Sequence, residues 1–481
     1  MKISQLFLSL FMVAAIGVVS VAQTNGEAAP KTNRFNSGVA QGAQAADASR
    51  SRQQAFEAIE KAISVLIPGG IEKGTPRQEK FKSVIESFGN GKVPDAMAAL
   101  QKMSQEDPEL PPAEVMMAGI TFAIGESNTG TALLEESAVK HPNYPGVYMS
   151  FAQLALNTNR ITDASLHVEK AAALIEAGNL SPEKRNHFLK QYFELTTGIH
   201  LRRKENQKAD EALNRLQALS PNLPFYLYNK AELAFRGNQN DQALQFLAQH
   251  ARATESKRLP QLTLVEWLKR VGKDDQAETL LLDTLKKNPT DAITQMVSAQ
   301  MFMVKEDFPN ALEALKNFEG ANGGETNNSI DMKGRIAFAG GSYDRAGEHF
   351  LNLTRKKPND ASTANIYALC LVESDDPEKR KQAQEISERV ASRIPNNPLA
   401  LAALGYIYLK NGEQDRSRQL MGRVALSRQS TPEISFFLSH WLIENKQPDQ
   451  AAQILRQVVD FKGLFLYRSA ARKLLASLPG K

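Results

Sequence analysis

Apolar side chains recur every three or four positions along most of this chain, in runs that stop at a short polar break and then resume. Leu399 to Val424, LALAALGYIYLKNGEQDRSRQLMGRV, shows the unit of the pattern. Gly405 and Tyr408 are three apart and share one face of a predicted helix. Asn411-Gly412 supplies the stop, because both residue types tolerate the left-handed backbone that ends a helix. The small Ser417 opens a second helix, with Met421 and Val424 on the same side. Such a hairpin cannot bury its apolar face alone, so it predicts copies of itself.

The copies are present. Small residues fall at Ala96, Gly130, Ala164, Ala209, Ala243, Ala277, Ala311, Ala346, Ala383, Ser417 and Ala451, and seven of the ten intervals are 34 residues. Four positions later stand Leu100, Leu134, Val168, Leu213, Leu247, Leu281, Leu315, Phe350, Met421 and Leu455, with Ser387 the one break in the row. Proline follows the small residue by twelve at Pro108, Pro142, Pro221, Pro289, Pro358 and Pro395, where it ends the second helix. The one long interval, 45 residues, precedes Ala209 and contains Ser181-Pro182-Glu183, an N-cap followed by proline and an acid in the first turn.

This ladder resembles the tetratricopeptide repeat, a helix-turn-helix unit of about 34 residues. Leu404-Gly405, Tyr408 and the small Ser417 carry the best match, and the likeness runs from about Arg77 to Asp460. The opening tryptophan of the family pattern is missing. The resemblance implies an all-α fold, an α-solenoid of about eleven hairpins wound as a right-handed superhelix whose first helices line a concave side. The expected organisation is a signal peptide (1–22), a flexible linker (23–50), an N-terminal helix and loop (51–76), three repeats (77–180), eight more (181–460), and a C-terminal capping helix (461–481). The long interval is expected to divide the array.

Composition changes the picture little. At 481 residues the chain exceeds one ordinary core, and 42% hydrophobic with 23% charged residues reads as folded. A net charge of +5 is too small for this length to argue for nucleic acid. Cys370 is the only cysteine, which excludes an internal disulfide. Its setting, IYALCLV, predicts a buried apolar side chain. Lys2, the apolar run Leu6–Val19 and the small Ser20-Val21-Ala22 predict export with cleavage before Gln23; an uncleaved membrane anchor is the alternative.

A search for chemistry returns little. FGNGKV, around Gly91-Lys92, has Glu86 and Val93 where a phosphate loop needs Gly and Ser or Thr. No two of the seven histidines are four apart, and no G-x-S-x-G occurs. No catalytic residue, cofactor or metal is therefore assigned. One constellation stands out: Arg202, Arg236 and Arg270 are spaced by 34, with Glu232 and Glu266 four residues before two of them. Gln300 follows in the acidic row, and Tyr228 lies one turn before Glu232. Placed on successive first helices, the arginines predict a basic stripe that grips carboxylates of an extended peptide. The plainer reading is two exposed i, i+4 pairs, each contributing about 0.2–0.5 kcal/mol. A second basic run holds Lys379, Arg380, Lys381, Arg389, Arg393, Lys410, Arg416, Arg418, Arg423 and Arg428. It reads as a partner surface or as a solvated outer face.

The resemblance implies a non-catalytic scaffold whose groove binds a protein or peptide partner, not nucleic acid. Analogy extends this to cell-envelope assembly or secretion, in a membrane-associated or polysaccharide-related complex. The competing reading is an enzyme or carbohydrate-processing accessory with a site built between repeats.

Overall fold

The structure, a computed structural model, describes residues 56–221, 223–427 and 429–478. The expected leader and linker, and Arg428 of the basic run, lie outside the described residues. Every regular element among the described residues is a helix. They fall into two compact units that meet between Glu255 and Ser256.

The first unit opens with α1 (residues 56–66). Five hairpins follow: α2 (Pro76–Gly89) with α3 (Val93–Glu106), α4 (Ala113–Ala123) with α5 (Ser127–Lys140), α6 (Pro145–Asn157) with α7 (Ile161–Ala177), α8 (Pro182–Arg203) with α9 (Asn206–Leu219), and α10 (Pro224–Arg236) with α11 (Asn240–Ala253). The second unit holds six hairpins: α12 (Pro260–Arg270) with α13 (Asp274–Lys287), α14 (Ala292–Val304) with α15 (Phe308–Ala321), α16 (Asn327–Ala339) with α17 (Tyr343–Lys356), α18 (Ala361–Val372) with α19 (Pro377–Arg393), α20 (Pro398–Lys410) with α21 (Gln414–Leu426), and α22 (Pro432–Glu444) with α23 (Pro448–Val459). A single helix, α24 (Arg468–Ser477), closes it. Hairpins at a mostly 34-residue period, packed by their apolar sides within each unit, give the tetratricopeptide-type fold.

The ladder of small residues marks the helix crossings. All eleven are buried, from Ala96 to Ala451. The row four residues later is buried as well, Ser387 included. Where the first helix carries glycine at the crossing, the partner side chain grows. A Cβ on Gly334 would lie 2.9 Å from the Phe350 ring, and one on Gly405 would lie 3.1–3.3 Å from Met421. Apart from Ser387, the other hairpins have leucine or valine in that row, so volume lost on one helix is recovered on the other.

The turns between paired helices repeat a backbone device. Five residues before the small position, the chain turns left-handed at Gly91, Gly125, Asn159, Lys204, Asn238, Gly272, Glu306, Gly341, Gly412 and Lys446. Half of these are glycine, which has no Cβ penalty there. Only the α18–α19 connection departs, and its second helix starts instead on an Asp376 cap.

The long interval lies in helix rather than in loop. α7 runs 17 residues and α8 runs 22, with Ser181 capping α8 through Lys184 N at 3.2 Å and Pro182 in its first turn. The added length of α8 reaches back over earlier hairpins. Ser181 Oγ donates to Glu109 at 3.0 Å, Lys184 meets the Pro108 carbonyl, and Gln191 Nε2 donates to the Val65 carbonyl at 3.1 Å. The insertion thereby ties α8 to α1 and to the α3–α4 loop.

Candidate functional site

Helix periodicity puts His187, Gln191, Glu194, Gly198 and Arg202 on one stripe of α8. The stripe begins against α1, where His187 and Gln191 contact each other at 3.1 Å and Gln191 reaches Val65. Burial pulls the His187 imidazole down to about 4, and the Lys190 charge adds to this. Glu194 follows, half-buried, and the protein around it pushes its carboxyl up to about 7, an effect Lys190 only partly offsets. Gly198 is buried, and Arg202 Nη1 donates back to its carbonyl at 3.2 Å. Burial lowers the Arg202 pKa, while the charge of Glu232 on α10 opposes that shift.

From α10, Glu232 and Arg236 pair at 2.7 Å with both side chains largely covered. Arg236 Nη1 also donates to the Leu201 carbonyl at 2.9 Å and lies 3.4 Å from Asn206 Oδ1, so this guanidinium fastens α10 to the end of α8. Tyr228, one turn before Glu232, sets its ring edge-on to His250 of α11 at 5.5 Å. Glu194, Arg202, Tyr228, Glu232 and Arg236 therefore form one polar tract across two first helices. Its charges are half-buried, where pairing is stronger than on an open surface.

The remaining stripe residues belong to the second unit. Arg270 and Gln300 are exposed. Glu266 pairs with Arg258 at 2.6 Å, so the expected i, i+4 pair with Arg270 does not form there. Five of the nine described residues of the basic run pair with acids: Lys379 with Asp344 (2.7 Å), Arg380 with Asp375 (3.2 Å), Lys410 with Glu373 (3.2 Å), Arg416 with Glu413 (2.8 Å) and Glu388 (3.2 Å), and Arg418 with Asp415 (3.3 Å). Cys370 is buried, and burial raises its thiol pKa out of the reactive range.

Sequence reading passed over Glu194. A signal for it exists: it stands fifteen residues before its small position, where Phe81, Val115, Met149, Leu262 and Met296 stand in other hairpins and Asp331 is the one other carboxylate. A carboxylate in an apolar row marks a place where the face changes character.

The arrangement is a helical-hairpin array with a polar tract on its first helices. Among the described residues, no group of three His, Cys, Asp or Glu is placed to hold a metal ion, and no helix is long and apolar enough to cross a membrane. No family model matches the sequence, and no curated protein matches it. Solved structures do. A tetratricopeptide repeat protein from Parabacteroides merdae is 14% identical, covering 53% of this chain and 97% of its own, with a TM-score of 0.41. Yeast Tom70 is 12% identical over 83% of this chain and 95% of its own, at a TM-score of 0.31. Pseudomonas aeruginosa pilF is 17% identical over 48% and 97%, at 0.27. These are likenesses of low overlap, and the fold assignment rests on the 34-residue register and its buried positions.

Proposed function

We propose that this protein is a non-catalytic scaffold that holds an extended peptide of a partner protein along the first-helix face of its first unit. The observation that carries the reading is the tract from Glu194 to Arg236, where half-buried charges lie on neighbouring first helices. A peptide backbone offers donors and acceptors along its length, and alternating carboxylate and guanidinium groups complement it better than a single charge sign would. In this reading Arg202 takes a carboxylate of the peptide. Glu232 and Arg236 hold the wall beside it, and Tyr228 supplies an apolar shelf. Arg270 and Gln300 continue the same register positions in the second unit.

The leader pattern around Lys2 and Leu6–Val19 supports export, and with it work in cell-envelope assembly or secretion, in a membrane-associated or polysaccharide-related complex. Amino-terminal sequencing of the purified protein checks export: a start at Gln23 is expected, and a retained Met1 would contradict it. For binding, the tagged protein is isolated from its own cells beside a variant with Arg202, Arg236 and Arg270 all changed to Ala. Loss of a partner in the variant, with cooperative melting retained, supports the reading. Identical partners in both would discard it.

A further inference from the structure

The lead-in to α24 runs onto the same face of the second unit. Phe465, Leu466 and Tyr467 are buried. The Tyr467 ring stacks on Phe436 with centroids 4.5 Å apart, and meets Phe437 edge-on at 5.3 Å, Phe338 at 4.9 Å and Tyr406 at 6.2 Å. Those rings come from α16, α20 and α22, all first helices. Tyr406 stands eleven residues before its small position, as Glu232 does, and Phe436 stands fifteen before, as Tyr228 does. Polar contacts continue the path: Arg468 Nη1 donates to the Val304 carbonyl at 3.3 Å, Arg472 pairs with Glu306, and Lys462 reaches Asp274 at 3.3 Å. Val304 occupies the register place of Arg236 and Arg270, so the tail brings an arginine beside a position where this hairpin has valine. The sequence reading made this helix a cover for the last hairpin. α24 does pack on α23, but its lead-in spans hairpins far from that end.

Two features set the segment apart from ordinary core. Its tether is exposed: Phe461 and Leu464 are exposed apolar residues flanking Lys462 and Gly463, and Arg468 Nη2 from the tail itself holds the Phe461 carbonyl at 2.6 Å and the Gly463 carbonyl at 2.5 Å. Its anchor fits imperfectly, because the Tyr467 hydroxyl is buried without a hydrogen-bond partner. A seat that buries a phenol but leaves its oxygen unanswered suits a phenyl ring better. We propose that the first-helix face of the second unit is a binding surface for a helical partner-protein segment carrying an aromatic residue followed at once by arginine, with a second arginine four residues on, and that residues 461–478 are its resident, displaceable occupant. Intramolecular tethering gives the resident a high effective concentration, so a partner enters only when it binds more tightly or when the tail is drawn away. This surface is separate from the first-unit tract and stands whether or not that tract binds peptide.

The test uses the full chain with a site-specific protease sequence placed at residues 461–463. After cutting, a fluorescent peptide copying residues 464–478 is titrated and read by anisotropy. Expected results are retained cooperative melting and saturable uptake by the cut chain but not the uncut one. A Tyr467→Ala peptide should bind roughly a hundredfold more weakly. A Tyr467→Phe peptide should bind several-fold more tightly, about fivefold or more. A peptide with Arg468→Glu and Arg472→Glu should bind at least about tenfold more weakly in low salt. Loss of cooperative melting on cutting would show the segment to be core and overturn the proposal. Absence of uptake by a folded, cut chain would overturn it too. Equal binding of the charge-reversed peptide, or weaker binding of the Tyr467→Phe peptide, would overturn the stated partner chemistry.

Discussion

Both units cover part of their first-helix face with a terminal segment, and they do it by different physics. In the first unit, α1 lies against α4, where a Cβ on Gly119 would sit 2.8 Å from Leu66, and the lengthened α8 contacts α1 through Gln191. Ile59, Ala62, Ile63 and Ile67 bring aliphatic side chains into one core with Phe81, Val84 and Met116. What remains of that face is the polar tract. In the second unit the cover is an aromatic plug, with ion pairs at its edge and an exposed tether behind it. An aliphatic cover clamped from two sides reads as structure, whereas a plug on a tether reads as a ligand. The rest of each unit obeys the same register, so the difference lies in what the repeat leaves on its inner face.

The largest expected effect breaks the comparison at the plug. Tyr467→Ala should cost about 3–5 kcal/mol in the second unit, as loss of a buried aromatic does. Denaturant unfolding followed by near-ultraviolet circular dichroism reads it. Glu232→Ala, on the first-unit tract, should cost well under half of that, and a larger loss there would show the tract to be structural. A shared feature gives the control. Ala243→Leu and Ala277→Leu each overpack a helix crossing, one per unit, and should each cost about 1–3 kcal/mol. A neutral shift in either would contradict the assigned crossing.

Protonation sharpens the contrast. Glu194 titrates near 7 in the fold against about 4.5 unfolded, so the fold holds the extra proton between those values and stability falls as pH rises through that window. His187 in the first unit and His440 in the second are both held near 4, so each favours unfolding as pH drops below about 6.5. Opposed slopes therefore meet in the first unit, and the second has only the histidine slope from this set. Glu194→Gln should raise stability by about 1–3 kcal/mol at pH 8 and by nearly nothing at pH 4.5. A gain that is equal at both pH values would place the cause in packing rather than in charge.

Much of the fold was legible because the repeat states its packing in residue size. Ala277 and its ten equivalents fix the crossings, and the exchange of Gly405 for Met421 volume can be read once the rows are aligned. The left-handed turns were legible only where glycine or asparagine marks them. Lys204, Glu306 and Lys446 adopt the same backbone without a sequence signal, because the hairpin geometry imposes it. Gly272→Ala should accordingly cost about 1 kcal/mol, since φ there is +76°. The site was less legible. Spacing found Arg202 and Arg236, but Glu266 chose Arg258 through a contact that no heptad or 34-residue rule encodes. The tail reads in sequence as a capping helix, and nothing local in FKGLFLYR tells which hairpins it crosses.

The smallest effect concerns a single oxygen. At the crossing position the first unit has only alanine or glycine, Ala96 to Ala243, with no polar atom to satisfy. The second unit has Ser417 there, fully buried, with its hydroxyl lacking a partner. Removing that oxygen keeps the packing and deletes a desolvation cost, so Ser417→Ala should stabilise by about 1 kcal/mol. Ala243→Ser in the first unit should cost a similar amount, because it creates the same unanswered group at an equivalent crossing. Paired melting curves decide the matter. If Ala243→Ser costs much more than Ser417→Ala gains, the serine hydroxyl shares a hydrogen bond with the α21 backbone, and the two units differ at the crossing as well as on the inner face.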